Sequence, residues 1–344
     1  MKNNHSQTGI SLIEIMIALL IGAFLLGGVL QIFIGSKQTY RMQENLSRLQ
    51  ENGRFALDFL ASDIRMAGFI GCNSGATLTN TLNTPTAFLY NFGSAIEGFE
   101  ATSTTAWTPT INAAITSPLG DSDVITIRTA DDQSFTVTTH IFDIAANTSA
   151  LTLDATATTA NLKTAGFLTS AGANHCATAV VSDCSAAAAF HVSAVAGGTL
   201  SHNTGSGCSP DNSTNNLGKT YVGGQVYPIN TISFYVRENP SHQPSLYHRV
   251  GSNNAEELVE GIENMQILYG VDTNSDKTAN YYAPADPALT WPNVVSIRIS
   301  LLAVTLDDNL TTQPMPYTFN GITTNDRKIR RVFTTTIALR NRLR

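Results

Sequence analysis

The stretch TGISLIEIMIALLIGAFLLGGVLQIFI, residues 8–34, decides how this chain is read. From Ile10 to Ile34 it is apolar except for Ser11, Glu14 and Gln31. As a helix that segment rises about 37 Å, ample for a bilayer core of about 30 Å. A secretory signal carries a shorter apolar run of about 7–15 residues, with its small-residue cleavage site behind it. Here the run is longer, and the small residue, Gly9, stands in front. Glu14 is the anomaly. A carboxylate deep in a bilayer costs about 2.5–3.5 kcal/mol on insertion scales, and no Lys, Arg or His lies within the span to offset it. A cut between Gly9 and Ile10 would supply a cation, because a new α-amine with a pKa of about 7.7–8.0 is largely protonated. Glu14 of one subunit then pairs with the Ile10 amine of a neighbour in a staggered stack of helices. The alternative is a plain single-pass anchor with an incidental acid.

After Gly35 the pattern becomes amphipathic. Leu46, Leu49, Gly53, Ala56 or Leu57, Leu60, Ile64 and Ala67 recur at steps of three and four. Glu44–Arg48 and Arg54–Asp58 are i,i+4 pairs. No Pro occurs before Pro85, and Gly68 and Gly71 supply a stop, so one helix is expected from Ser11 to Ala67.

Residues 72–220 are rich in Thr, Ser, Ala and Asn. Short strand signals occur at Asp123–Thr129, Ser134–Phe142, Ala150–Leu153, Thr178–Val181 and Phe190–Val195, and Ser201–Leu217 is a loop by composition. This is a β-rich insertion. Beyond it, Tyr221–Val236, Leu258–Gly270, Val294–Val304 and Arg331–Leu339 are strand regions. Val295, Ile297, Ile299 and Leu301 alternate with Ser296, Arg298 and Ser300, the period of an antiparallel sheet with one buried face. The fold class is therefore α+β: a long N-terminal helix packed on an antiparallel sheet.

The 344 residues are 42% hydrophobic and 13% charged, with a net charge of −6. That excludes a disordered chain and argues against wrapping nucleic acid. No G-x-S-x-G, H-E-x-x-H, Walker A or dinucleotide fingerprint is present, and the seven His residues form no catalytic constellation. No enzyme is expected.

Thr8-Gly9-Ile10-Ser11-Leu12-Ile13-Glu14 ahead of an apolar helix resembles the class III signal of type IV prepilins. The resemblance implies that a prepilin peptidase removes residues 1–9 and methylates Ile10, a position where most prepilins carry Phe. The chain as a whole is similar to the PilW-type minor pilins. The similarity rests on AGFIGC at 67–72, VSDC at 181–184, GIENMQILYGVD at 261–272 and RRVFTTT at 330–336. It implies the type IV pilin fold, with a membrane and filament-core helix at 10–34, an amphipathic head helix at 35–71, a variable insertion at 72–220 and the head sheet at 221–344.

The same resemblance implies an assembly-priming subunit that supports pilus biogenesis, twitching motility, adhesion or DNA uptake. Its partners would be other minor and major pilins, a tip adhesin, the prepilin peptidase and an inner-membrane assembly platform. It would sit in the inner membrane with a periplasmic body, then in the extracellular pilus near the tip. Lys37, Arg41, Arg48 and Arg54 follow the span and by simple count would hold the body in the cytoplasm, but long domains translocate largely regardless of charge. Two other readings share these features: a minor pseudopilin of a type II secretion system, and a membrane-anchored periplasmic binding module whose anchor mimics a prepilin.

Cys72, Cys176, Cys184 and Cys208 allow two disulfides in three connectivities, which form outside the membrane. An extended Ala177–Val181 separates Cys176 from Cys184 beyond the bridging limit of about 7 Å, which favours pairing each with Cys72 or Cys208. A zinc set drawn from His175, Cys176, Cys184, His191, His202 and Cys208 matches no compact zinc spacing. Asp272, Asn274 and Asp276 open like a calcium loop, but Lys277 and Ala283 stand where that loop needs Gly and Glu. A turn is the better reading, a weak extracellular calcium site the alternative, and no other cofactor is expected. Arg327, Lys328, Arg330, Arg331, Arg340, Arg342 and Arg344 crowd the C-terminus. They are expected as a solvated, basic sheet edge, with an acidic partner subunit as the alternative; the acidic whole argues against nucleic acid.

Overall fold

The computed structural model describes residues 11–72, 77–143, 145–168 and 176–343. Its first element is helix α1, Leu12–Met66, 55 residues long. The strands follow as β1 (Thr77–Asn80), β2 (Ile96–Ser103), β3 (Ala106–Thr108), β4 (Val124–Ala130), β5 (Phe135–Asp143) and β6 (Thr148–Leu153). After helix α2 (Thr159–Thr164) come β7 (Thr178–Ser182), β8 (Ala186–His191), β9 (Ala194–Ala196), β10 (Thr199–Ser201), β11 (Gln225–Glu238), β12 (Pro244–Val250) and β13 (Glu256–Glu260). The chain ends with β14 (Ile262–Val271), β15 (Tyr281–Ala283), β16 (Val294–Val304), β17 (Met315–Phe319), β18 (Ile322–Asp326) and β19 (Arg330–Ala338). Two units share these elements: residues 1–50 with 305–329, and residues 51–304 with 330–344.

In the larger unit, β11 is the hub. Its start pairs with β7 and β5, its middle with β4 and its end with β12, all antiparallel. Through it thirteen of the described strands join in one sheet, whose β1–β8 pair is parallel. A second sheet runs β15-β14-β16-β19, antiparallel throughout. Residues on both sides of position 220 share this sheet, because β11 from beyond it pairs with β4, β5 and β7 from before it. The expected single strand Leu258–Gly270 is also two. Gly261, at φ +80°, turns the chain from β13 in the first sheet to β14 in the second. Phe190–Val195 likewise divides between β8 and β9. The region between Cys72 and Asp123, blank in the sequence reading, holds β1, β2 and β3.

The helix stripe of this unit buries Ala56, Leu60 and Ile64. A Cβ on Gly53 would lie 2.4 Å from the Phe333 ring, so that glycine is what lets the ring close on the helix. The helix ends where its free carbonyls find tertiary donors: Met66 O accepts from Thr129 Oγ1 (2.9 Å) and Asn341 Nδ2 (3.2 Å). Gly68, at φ +76°, then donates its N–H to Arg128 O at 2.8 Å. Phe135, Leu151, Leu162, Phe167, Phe190 and Tyr221 form one core.

In the smaller unit, Asp307 accepts from Arg41 Nη2 (3.2 Å) and Asn45 Nδ2 (3.1 Å). These bonds, Asn45 first, hold its carboxyl below the usual carboxylate range. The β17–β18 hairpin turns at Asn320-Gly321, both at positive φ.

Candidate assembly site

Between residues 12 and 34, α1 has no core to face. Leu12, Phe24 and Ile32 are 76%, 76% and 74% exposed, and none of its most apolar window is buried. It is long and apolar enough to cross a membrane. At its start, Ser11 and Glu14 bond reciprocally: Ser11 N–H donates to Glu14 Oε2 (3.0 Å) and Glu14 N–H to Ser11 Oγ (3.3 Å). This is a capping box, which satisfies two donors of the helix start. Its S-x-x-E signature is local and stands in the sequence at Ser11–Glu14. Gly9 and Ile10 lie outside the described residues.

All four cysteines are bonded. Cys72 joins Cys184 (Cα–Cα 5.1 Å) and Cys176 joins Cys208 (Cα–Cα 5.3 Å). The first ties the chain leaving α1 to the β7–β8 turn, and the second ties the start of β7 to the long loop after β10. Bonded sulfurs are not thiolate ligands, which removes the zinc set; its His175 lies outside the described residues. Burial lowers His191 to about 4 and His202 to about 3, so both rings are neutral core residues.

The Asp272 loop spends its oxygens on itself. Asp272 Oδ1 accepts from the Asn274 and Ser275 N–H groups (3.1 and 2.7 Å) and Oδ2 from Lys277 N–H (2.8 Å). Asn274 Nδ2 donates to Asp276 Oδ2 at 3.0 Å. That is turn chemistry. Among the described residues no group of His, Cys, Asp or Glu is arranged to hold a metal.

The C-terminal arginines divide into two kinds. Arg330 is nearly buried and forks onto Glu263 (2.6 and 2.9 Å). Arg342 donates inward to Trp291 O and Val294 O. Neither belongs to a solvated edge, which corrects that expectation for these two. Arg331 and Arg340 remain exposed.

A second cluster escaped the sequence reading. Asp123, 2% exposed, accepts the Ala101 N–H (2.9 Å) and the Ile267 N–H (2.8 Å), so it bridges β2 and β14. Glu100 bonds to it side chain to side chain. Burial pushes Asp123 up to about 8, against the pull of those N–H donors. The Tyr269 hydroxyl above it is buried with no hydrogen-bond partner among the described residues, and burial raises that phenol too. These groups lie between two sheets and form no nucleophile–base pair; they join strands.

The family described as type IV pilus-assembly protein W matches residues 233–341, from the middle of β11 through β19. The prokaryotic N-terminal methylation motif matches residues 4–30, from the polar N-terminal stretch into the exposed half of α1. Together they support a PilW-type pilin. No curated protein and no solved structure matches the chain. A PilW-type pilin is a type IV pilus-related minor pilin, and its family points to a structural, non-enzymatic protein that interacts with other pilins and the assembly machinery. The signal and the apolar helix suit an inner-membrane anchor with a periplasmic body.

Proposed function

We propose that this chain is a minor pilin that primes type IV pilus assembly. Prepilin peptidase cuts between Gly9 and Ile10 and methylates Ile10. Residues 10–34 then hold the subunit in the inner membrane until the assembly platform extracts it into the filament. The Glu14 carboxylate meets the Ile10 amine of a neighbouring subunit, so that each acid is neutralised as helices stack. The part of α1 in the larger unit and the β14–β16–β19 sheet form the pilin head, and the strands before them are its variable elaboration. The subunit sits near the tip with other minor pilins and an adhesin, supporting twitching motility, adhesion or DNA uptake.

One observation carries this reading: an acid stands at the start of an apolar helix half that is exposed throughout. Intact-mass analysis of the N-terminus from cells with an active peptidase tests it. The expected chain begins at Ile10 with one added methyl; a chain retaining Met1 overturns the reading.

A further inference from the structure

β19 ends the four-stranded sheet, and among the described residues nothing pairs with its outer edge. Leu339 N–H reaches Val295 O (2.9 Å), which fixes the phase of the ladder: residues 333, 335 and 337 turn their backbone groups toward β16. Val332, Thr334, Thr336 and Ala338 turn theirs outward, and the last three are exposed. The register with β16 runs from Arg330 to Ala338 without a bulge, and the strand contains neither Pro nor Lys. Soluble proteins blunt such edges with Pro, Lys, a bulge or a cover.

Two guanidinium groups bracket this bare edge. Arg331 and Arg340 are exposed, and neither forms an ion pair with an acid of the described residues. Along an extended strand they stand about 30 Å apart. We propose that the β19 edge takes an acidic, extended strand of another pilin subunit. The incoming strand bonds to the outward N–H and C=O groups of Val332, Thr334, Thr336 and Ala338. Acids at its two ends meet Arg331 and Arg340 and set the register.

A second copy of this chain fits poorly. Its acidic edge, β13, is already engaged: Glu260 O accepts from Asn52 Nδ2 (2.9 Å), and Asn239 Nδ2 donates to the Glu257 and Glu260 carboxylates (2.9 and 3.0 Å). The proposal rests on the pilin reading, so its test reports on both.

A photo-crosslinking residue replaces Thr334 in the full-length chain, expressed in cells that assemble the filament, and the N-terminal mass is read from the same sample. The expected result is an adduct with a different prepilin-type subunit, mapped to an acidic segment. Thr336→Pro removes one outward N–H and leaves the ladder to β16 intact, so the adduct falls about tenfold or more. The paired reversal Arg331→Glu and Arg340→Glu does the same without touching the backbone, and carries the test if the proline variant fails to fold. An adduct to a second copy, to lipid or to an unrelated protein overturns the proposal, as does an undiminished yield in both folded variants. A chain cut at Ile10 that gives no adduct overturns the edge proposal alone; an uncut chain overturns the pilin reading and this proposal with it.

Discussion

The side-chain carboxyls of Asp123 and Glu100 are bonded to each other between β2 and β14, so the pair holds one proton at neutral pH. Two carboxylates in contact, one buried and the other half-buried, repel unless a proton lies between them. Asp123 also accepts the Ile267 N–H, so the same pair fastens one sheet to the other.

The pH dependence of stability follows with its sign. Asp123 is pushed up to about 8 from about 3.9 in the unfolded chain, so folding takes up a proton between those values. Stability from this group falls as pH rises through that window, by up to about 1.4 kcal/mol per unit. His191 and His202, lowered to about 4 and about 3 against about 6.5 unfolded, act oppositely and raise stability until about pH 6.5. The urea midpoint should therefore peak near pH 6.5 and decline toward pH 8. Glu100→Gln, whose amide donates to Asp123 in the proton's place, should flatten that decline. A wild-type midpoint that is level or rises from pH 6.5 to 8 refutes the shared proton.

Gly53→Ala should destabilise the larger unit even though alanine is the better helix former by about 1 kcal/mol. The added methyl would sit 2.4 Å from the Phe333 ring, and overpacking of this kind costs about 1–3 kcal/mol. Phe333→Leu in the same chain should recover most of the loss. Chemical denaturation of the four proteins closes the cycle, and simple additivity of the two single changes would show that ring and glycine do not meet.

How much of this was legible beforehand depended on burial. Val295, Ile297 and Ile299 announced the middle of β16 because polar Ser296, Arg298 and Ser300 alternate with them, Arg298 exposed and Ser300 half-buried, and Glu14 stood out because everything around it is apolar. β8 did not announce itself: Ala187 to His191 are all buried, so AAAAFH has no alternation to read. The parallel partnership of β1 with β8 and the bridge made by Asp123 are long-range pairings that no local pattern encodes. Two signals were local and still missed. One is Asn320-Gly321, a hairpin turn between strands whose Thr and Asn side chains look like loop; the other is the Ser11–Glu14 capping box.

The two disulfides should differ in worth. Cys72–Cys184 closes 112 residues and Cys176–Cys208 closes 32, so the first removes more freedom from the unfolded chain. Replacing either pair with serine should cost about 2–5 kcal/mol, with the larger loss for Cys72 and Cys184. Equilibrium unfolding in urea measures both, and equal losses would mean that loop length does not govern the difference.

The cap observed at Glu14 and the charge pair proposed for it cannot be separated by one substitution, but they can by two. As a cap its carbonyl oxygen need only accept the Ser11 N–H, which glutamine does as well as glutamate. As an assembly residue it must carry charge to meet a neighbour's Ile10 amine. If the charge pair drives stacking, Glu14→Gln and Glu14→Ala should both be cut normally after Gly9 yet both fail to enter filaments. Ser11→Ala, which removes only the hydroxyl accepting the Glu14 N–H, should assemble nearly as well as the parent. If the cap is what matters, Glu14→Gln should assemble and Ser11→Ala should not. Immunoblots of sheared filaments beside whole-cell N-terminal mass distinguish these cases, and filaments from Glu14→Gln at parental abundance would remove the carboxylate–amine pair from the mechanism.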